Sequence, residues 1–141
     1  MTKPNDLSAT EARKLIGNKQ LSPFELTKSC IDQIEKYNPS INAVVAINHE
    51  DVLKEAKKAE DDMMSGKELG LLHGLPVGIK DLNPVKDLRS TSGSKLFENR
   101  IPDADDSVVA DIRAEGGIVF CKTNTPEFGA GANTKNKVYG A

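Results

Sequence analysis

The chain has 141 residues and a mass of 15.2 kDa, which is the size of one ordinary domain. Charged residues of both signs make up 28% of it, and the formal net charge is -2. This balance, without a basic patch interleaved with aromatic residues, argues against a nucleic-acid partner or an anionic membrane surface. No apolar run reaches the ~20 residues of a membrane span and the N-terminus lacks a hydrophobic signal core, which favours a cytoplasmic protein.

The two cysteines, Cys30 and Cys121, lie far apart and belong to no paired motif. A disulfide between them is arithmetically allowed, but two buried, reduced thiols are the better prediction for a cytosolic chain. The two histidines, His49 and His73, do not have the spacing of a metal site. We therefore predict no metal and no cofactor.

Helix signals dominate the N-terminal half. The sequences "SATE" (8–11) and "SPFE" (22–25) each place a hydroxyl three residues before an acid, as in a capping box. Pro23 stands at the first helical position of the second helix, and "YNPS" (37–40) is predicted to end that helix. The sequence thus predicts two helices before residue 41.

A strand and a third helix are predicted next. The run "INAVVAI" (41–47) is short and rich in β-branched residues, as in a strand. Residues 50–65 have the spacing of an amphipathic helix, and "SGKELG" then breaks the pattern. The apolar stripe of this helix consists of Val52, Ala56, Ala59 and Met63.

The second half of the chain is predicted to contain a strand, a helix and a strand. The first strand lies in "LPVGIKDL" (75–82), and the second is "IVFC" (118–121). Between them, "DDSVVADIRAEGG" (105–117) predicts a helix capped by Asp106 or Ser107 and ended by two glycines. This order indicates a parallel, right-handed βαβ unit and an α/β fold class.

Lys80 is the most unusual residue of the chain because it interrupts an apolar, glycine-marked run. Strand alternation puts it on the same face as Gly78, which is expected to leave open space, and at the C-terminal strand end where α/β sheets bind ligands. A lysine kept from water has a lowered pKa and can act as a base. The alternative is a strand-end lysine that extends into solvent or pairs with Asp81.

The loop "STSGSKLF" (90–97) is rich in hydroxyls and glycine. Such a loop can bind an anion or shape a site through its backbone N–H groups, but it matches no phosphate-binding motif. An ordinary surface turn is the simpler prediction. Ser92 and Ser94 lack the strand-to-helix elbow and the nearby histidine expected of a nucleophile.

Several segments in this order resemble the amidase signature family. They are "LLHGLPVGIKDL" (71–82), "STSGS" (90–94) and "DDSVVADIRAEGGIVFCKTNTPEFGAG" (105–131). The helices that include "LSPFELTKSCIDQIEKYNPSINAVV" (21–45) are similar to the N-terminal arm of that family. The resemblance covers essentially the whole chain. It implies a mixed β-sheet covered by helices, with residues 1–70 as a mainly helical arm and 71–141 as the βαβ part.

The family resemblance also implies a reaction. Members hydrolyse amides with a Ser–cis-Ser–Lys triad, and the lysine of the "GIKD" motif is Lys80 here. The same resemblance puts Gly129 and Gly131 at the substrate pocket, although a flexible loop is an equal alternative. Glu127 is expected to be a structural hydrogen-bond partner. No run of the type "GGSSGG" occurs in the 141 residues, so the chain is predicted to be the N-terminal portion of an amidase that lacks both serines.

Three functions are compatible with these sequence features. The first is an amidase acting on a small-molecule amide, inactive as this chain alone. The second is the amidase subunit of a tRNA-dependent amidotransferase, and the third is a non-catalytic module that binds or complements another polypeptide. The partner is then the remainder of the amidase domain or a second copy, since the strand at 118–121 is expected to expose an edge.

Overall fold

The computed structural model describes residues 3–141. Within them, four α-helices pack around a small sheet of three strands. The helices are α1 (Ala9–Gly17), α2 (Pro23–Ile41), α3 (His49–Met64) and α4 (Ser107–Ala114). The strands are β1 (Val44–Ala46), β2 (Pro76–Lys80) and β3 (Ile118–Thr123). This mixture of helices and a small sheet confirms the predicted α/β class.

The sheet has the strand order β1-β3-β2. Strands β2 and β3 are parallel, with Ile79 opposite Lys122 and Lys80 opposite Thr123, and α4 connects them as predicted. Strand β1 pairs antiparallel with the other side of β3. The prediction that the strand at 118–121 exposes an edge is therefore wrong. That strand is central because β1, from the N-terminal half, occupies its second side, and the edges belong to β1 and β2.

Capping explains how the first two helices begin. The Ser8 hydroxyl accepts a hydrogen bond from the Glu11 N–H at 3.2 Å, and the Glu11 carboxylate accepts one from the Ser8 N–H at 3.0 Å, which confirms the first capping box. Ser22 caps α2 through the N–H groups of the following turn, but its hydroxyl donates to Glu60 of α3. The second cap therefore also ties α2 to α3.

The predicted end of α2 is wrong. The helix continues through Pro39 to Ile41, so Ile41 is helical and the strand begins only at Val44. A proline in the last turn removes one N–H donor but leaves the other bonds of that turn intact. The helix ends at Asn42, where φ is +48°, a conformation that asparagine tolerates.

Three clusters of buried apolar side chains form the core. One lies between α1, α2 and the end of α3, the second between α2, α3 and β3, and the third between β2, β3 and α4. All four residues of the predicted α3 stripe are buried, which confirms its orientation. Within residues 3–141 no helix combines the length and the apolarity needed to cross a bilayer.

Candidate active site

Lys80 is the last residue of β2. Along this strand Ile79 is buried whereas Gly78 and Lys80 are exposed, as the predicted alternation requires. The space beside Gly78 is not open, however, because a Cβ there would lie 3.1 Å from Thr123 Cγ2 and 3.2 Å from Cys121 Sγ. The absence of a side chain at Gly78 thus allows the side chains of Cys121 and Thr123 on the paired strand β3 to lie close to β2. Lys80 itself is exposed, so residues 3–141 do not supply the enclosure from water that a lysine base requires.

The backbone around Lys80 is firmly held. The Asp81 N–H donates to the Thr123 carbonyl at 2.9 Å, which extends the ladder between β2 and β3 by one bond. The Asn83 N–H then donates to the Lys80 carbonyl at 3.1 Å and closes a turn. The peptide group between Lys80 and Asp81 is therefore held on both sides, through its carbonyl by the turn and through its N–H by β3.

The Asp81 carboxylate points into the protein and not toward Lys80. Asp81 and Lys122 are both fully buried, and the Lys122 Nζ lies 3.4 Å from Asp81 Oδ1. Thr91 donates to the same carboxylate twice, from its hydroxyl at 2.6 Å and from its N–H at 3.0 Å. An ion pair between Lys80 and Asp81, the sequence-based alternative, is therefore excluded.

Lys122 is the largest of the fully buried side chains. Its ammonium group donates to Ser90 Oγ at 3.0 Å and to the carbonyl of Asn83. Burial lowers the pKa of Lys122, and the Asp81 carboxylate opposes that shift. Sequence reasoning missed this residue because it ended the strand at Cys121. The available signal was a lysine directly after the apolar run "IVFC".

The hydroxyl-rich loop is part of the interior and not an ordinary surface turn. Ser90, Thr91 and Ser94 are all buried. The Ser94 hydroxyl donates to the Glu127 carboxylate at 2.8 Å, which agrees with a structural part for Glu127. The Phe128 N–H donates to the Ser92 carbonyl at 2.8 Å. These bonds fasten the loop to the segment that follows β3.

The two glycines predicted for the substrate pocket differ in their surroundings. Gly129 has φ +72°, and a Cβ there would lie 2.8 Å from Leu82 Cδ1. Its segment therefore packs on a residue only two positions after Lys80. Gly131 has φ +149°, and its nearest neighbour is Pro126 Cβ at 3.4 Å. Gly129 is thus close in the fold to the end of β2, whereas Gly131 lies against its own loop.

Both cysteines are free, as predicted, although Cys30 is half-buried while Cys121 is buried. Burial raises the pKa of the Cys121 thiol to about 12. Within the part of the chain that the structure covers, three or more His, Cys, Asp or Glu side chains nowhere come together to hold a metal ion.

The Cys121 thiol leads to a prediction about alkaline stability. The unfolded thiol ionises near pH 9 and the folded one at about 12, so the unfolded state binds fewer protons in this interval and stability falls as pH rises. We expect the free energy of unfolding to drop by ~1.4 kcal/mol more per pH unit in wild type than in Cys121→Ala between pH 9.5 and 10.5. Urea titrations measure this difference. Equal slopes for wild type and Cys121→Ala would contradict the prediction.

Comparison with known proteins identifies the family. The family model "Amidase" matches residues 25–141. The acylamidase of Rhodococcus erythropolis is 40% identical over 134 residues, which is 95% of this chain and 28% of that protein. A glutamyl-tRNA(Gln) amidotransferase subunit of Clostridium botulinum (strain Alaska E43 / Type E3) is 34% identical over 93% of this chain and 27% of its own length.

Solved structures agree with the sequence matches. A bacterial aryl acylamidase of the amidase signature family superposes with a TM-score of 0.86 at 31% identity, covering 95% of this chain and 28% of that one. Fatty acid amide hydrolase gives 0.90 at 25% identity, covering 97% and 24% respectively. The chain belongs to the amidase family. It spans a little over a quarter of the length of the curated relatives it matches.

Proposed function

We propose that this chain supplies the general base of an amidase, Lys80, and that both serines of the triad lie outside the 141 residues. The observation that carries the proposal is the place of Lys80 in a fold of the amidase family. Lys80 is the last residue of a parallel strand, and ligands of α/β proteins bind at the carboxyl ends of such strands. Its exposure fits a site that further chain would cover.

The reaction is acyl transfer to a serine followed by hydrolysis. The nucleophilic serine attacks the amide carbonyl carbon while its proton passes through the bridging serine to the neutral Lys80 amine. The C–N bond then breaks as the leaving nitrogen takes a proton, and an acyl ester remains on the enzyme. Water attacks this ester, which releases the carboxylic acid and restores the serine. Exclusion of water favours the neutral lysine that the first step needs.

The substrate class is a linear carboxamide. The similarity to an acylamidase and an aryl acylamidase supports an acyl amide of a small amine as the substrate. Gly129 is assigned to the substrate pocket because its segment contacts Leu82, close to Lys80, and Gly131 is assigned there as its neighbour in the same loop. A cytoplasmic location, and the remainder of the amidase domain as the partner of this chain, belong to the same proposal.

The similarity to an amidotransferase subunit supports a second candidate function. In that case the amide substrate is glutamine, and the ammonia released passes to a partner subunit. Glutamine hydrolysis that depends on a co-purifying protein would favour this candidate. Turnover of a simple aryl amide by the protein alone would favour the amidase.

The testing experiment measures the intact mass and the aryl-amide hydrolysis of the protein as expressed from its own gene. We expect a mass well above 15.2 kDa together with activity, and no activity from the 141-residue chain alone. A native mass of 15.2 kDa would leave only a split site completed by another chain. A protein of either size that hydrolyses neither aryl amides nor glutamine would overturn the proposal.

A further inference from the structure

A buried charge pair lies directly behind the proposed base. Asp81 and Lys122 are fully buried, and within residues 3–141 every hydrogen-bond partner of their two charged groups, backbone or side chain, lies in the turn and loop that follow β2. These partners are Thr91, Ser90 and the carbonyl of Asn83. The pair thus joins three successive pieces of backbone, namely the end of β2, the turn at Asn83 and the start of the hydroxyl-rich loop.

Stability alone is a weak reason for such a pair. The free-energy cost of desolvating two charges is about as large as the gain from their attraction. Replacing such a pair with apolar side chains of similar volume therefore often leaves the stability of the protein unchanged. The ion pair and its hydrogen bonds instead fix the orientation of the backbone around them. In the described part of the chain the carboxylate has hydrogen-bond or ion-pair partners only in Thr91 and Lys122, and the ammonium only in Asp81, Ser90 and Asn83. An apolar side chain would fill the same space without fixing the backbone in one orientation.

Lys80 lies within this arrangement without touching it. The residue after Lys80 is Asp81, and Lys80 lies opposite Thr123, which follows Lys122. The turn bond from Asn83 to the Lys80 carbonyl is held at its far end by Lys122, which binds the Asn83 carbonyl. The position of the Lys80 backbone, and with it the direction of the Lys80 side chain, therefore depends on the pair.

We infer that Asp81 and Lys122 are positioning residues for Lys80, because their buried ion pair fixes the end of β2 from which the base extends. This inference rests on the proposed function of Lys80. It assigns the two residues no contact with the substrate. Their effect is on the approach of the base to the bridging serine, so a shift of the base slows the chemical step while leaving substrate binding intact.

The test uses the double variant Asp81→Asn/Lys122→Met in the protein expressed from its own gene. This variant removes both charges at nearly constant volume, so that neither partner is left buried and unpaired. Arg113→Met is the matched control, since it removes a half-buried cation that pairs with Glu55 and Asp105 at distances of 2.8 and 3.0 Å. Thr91→Val is a milder second variant that keeps the ion pair and removes the 2.6 Å bond from the Thr91 hydroxyl to Asp81, together with the 3.0 Å bond that this hydroxyl accepts from the Gly93 N–H.

We expect kcat for an aryl amide to fall about 100-fold in the double variant, with KM within about twofold and cooperative unfolding retained. Thr91→Val is expected to show a smaller fall of the same kind, and Arg113→Met none. A kcat within about threefold of wild type in a folded double variant would overturn the inference. An equal fall in Arg113→Met would overturn it as well, since the effect would then be general.

Failure of the proposed function is recognised separately, because turnover would then be unaffected by Lys80→Met. In that event amide hydrogen exchange in the same variants shows whether the ion pair fixes the end of β2. We expect the Asp81 and Asn83 amides, which bond to Thr123 and Lys80, to exchange at least about tenfold faster in the double variant while α3 is unchanged. Unchanged exchange at these two amides would refute the positioning of this strand end.

Discussion

Replacing Lys80 with methionine is expected to lower kcat for amide hydrolysis by about 10³-fold, with little change in KM. Methionine keeps the length and apolar stem of lysine but can neither accept nor donate the proton, and general-base catalysis contributes about 10²–10⁴-fold to such rates. Because the Lys80 side chain is exposed and has no hydrogen-bond or ion-pair partner within residues 3–141, its loss should leave the fold unaffected. Steady-state kinetics and thermal unfolding of the same preparation measure the two effects.

Two further variants separate a base from a positive charge. Lys80→Arg keeps the cation but cannot lose its proton at working pH, so it should be as inactive as Lys80→Met. Lys86→Met removes the next lysine along the chain, which is also exposed, and should retain activity. An active Lys80→Arg would mean that this position supplies only charge. A loss below about tenfold in Lys80→Met would remove Lys80 from the chemical step.

Local sequence patterns predicted the elements that carry Lys80 well. Alternation in "PVGIK" places Ile79 inside and Lys80 outside, and the structure agrees. Helix α4 begins directly after the Asp106 cap and ends just before the two glycines, as the sequence predicts. Each of these features is decided by neighbours within a few residues, so spacing alone is sufficient to predict it.

The network behind Lys80 could not be predicted in this way. Asp81 is adjacent to Lys80 in sequence, but its partner is Lys122, 41 positions away across the β2–β3 pair. The pattern of a strand does not show whether a polar residue at its end turns inward or outward. The pairing of β1 with β3 was missed for a related reason, since sheet neighbours distant in sequence leave no local signal.

Breaking the buried pair on one side is expected to destabilise the protein strongly. Lys122→Met leaves the Asp81 carboxylate buried with only its bonds from Thr91, and loss of one partner of such a pair costs about 3–5 kcal/mol. The double variant Asp81→Asn/Lys122→Met should recover most of this loss and lie within about 1–2 kcal/mol of wild type. Urea unfolding of the three proteins at pH 7 gives the comparison. Equal loss in the single and double variants would show that the lost hydrogen bonds of Lys122 to Ser90 and Asn83, and not an unpaired buried charge, destabilise the protein.

The stability of Asp81→Asn should depend on pH, because the Lys122 side chain that remains in this variant can lose its proton and its charge. Without the carboxylate, the attraction that opposes the effect of burial is gone, so the pKa of Lys122 in the folded state falls further below that of the unfolded chain. Between these two pKa values the unfolded state binds more protons, and stability therefore rises with pH. We expect Asp81→Asn to be less stable than wild type at pH 7 and to approach it as the pH rises toward 10.

Both proteins are best compared in a Cys121→Ala background, which removes the opposing alkaline effect of that thiol. Urea unfolding at intervals between pH 7 and 10 then follows the difference in stability between the carboxylate and the amide at position 81. A deficit that stays constant over this range would mean that Lys122 keeps its proton in the folded variant. Its bonds to Ser90 and the Asn83 carbonyl would then be sufficient to hold the charge without Asp81.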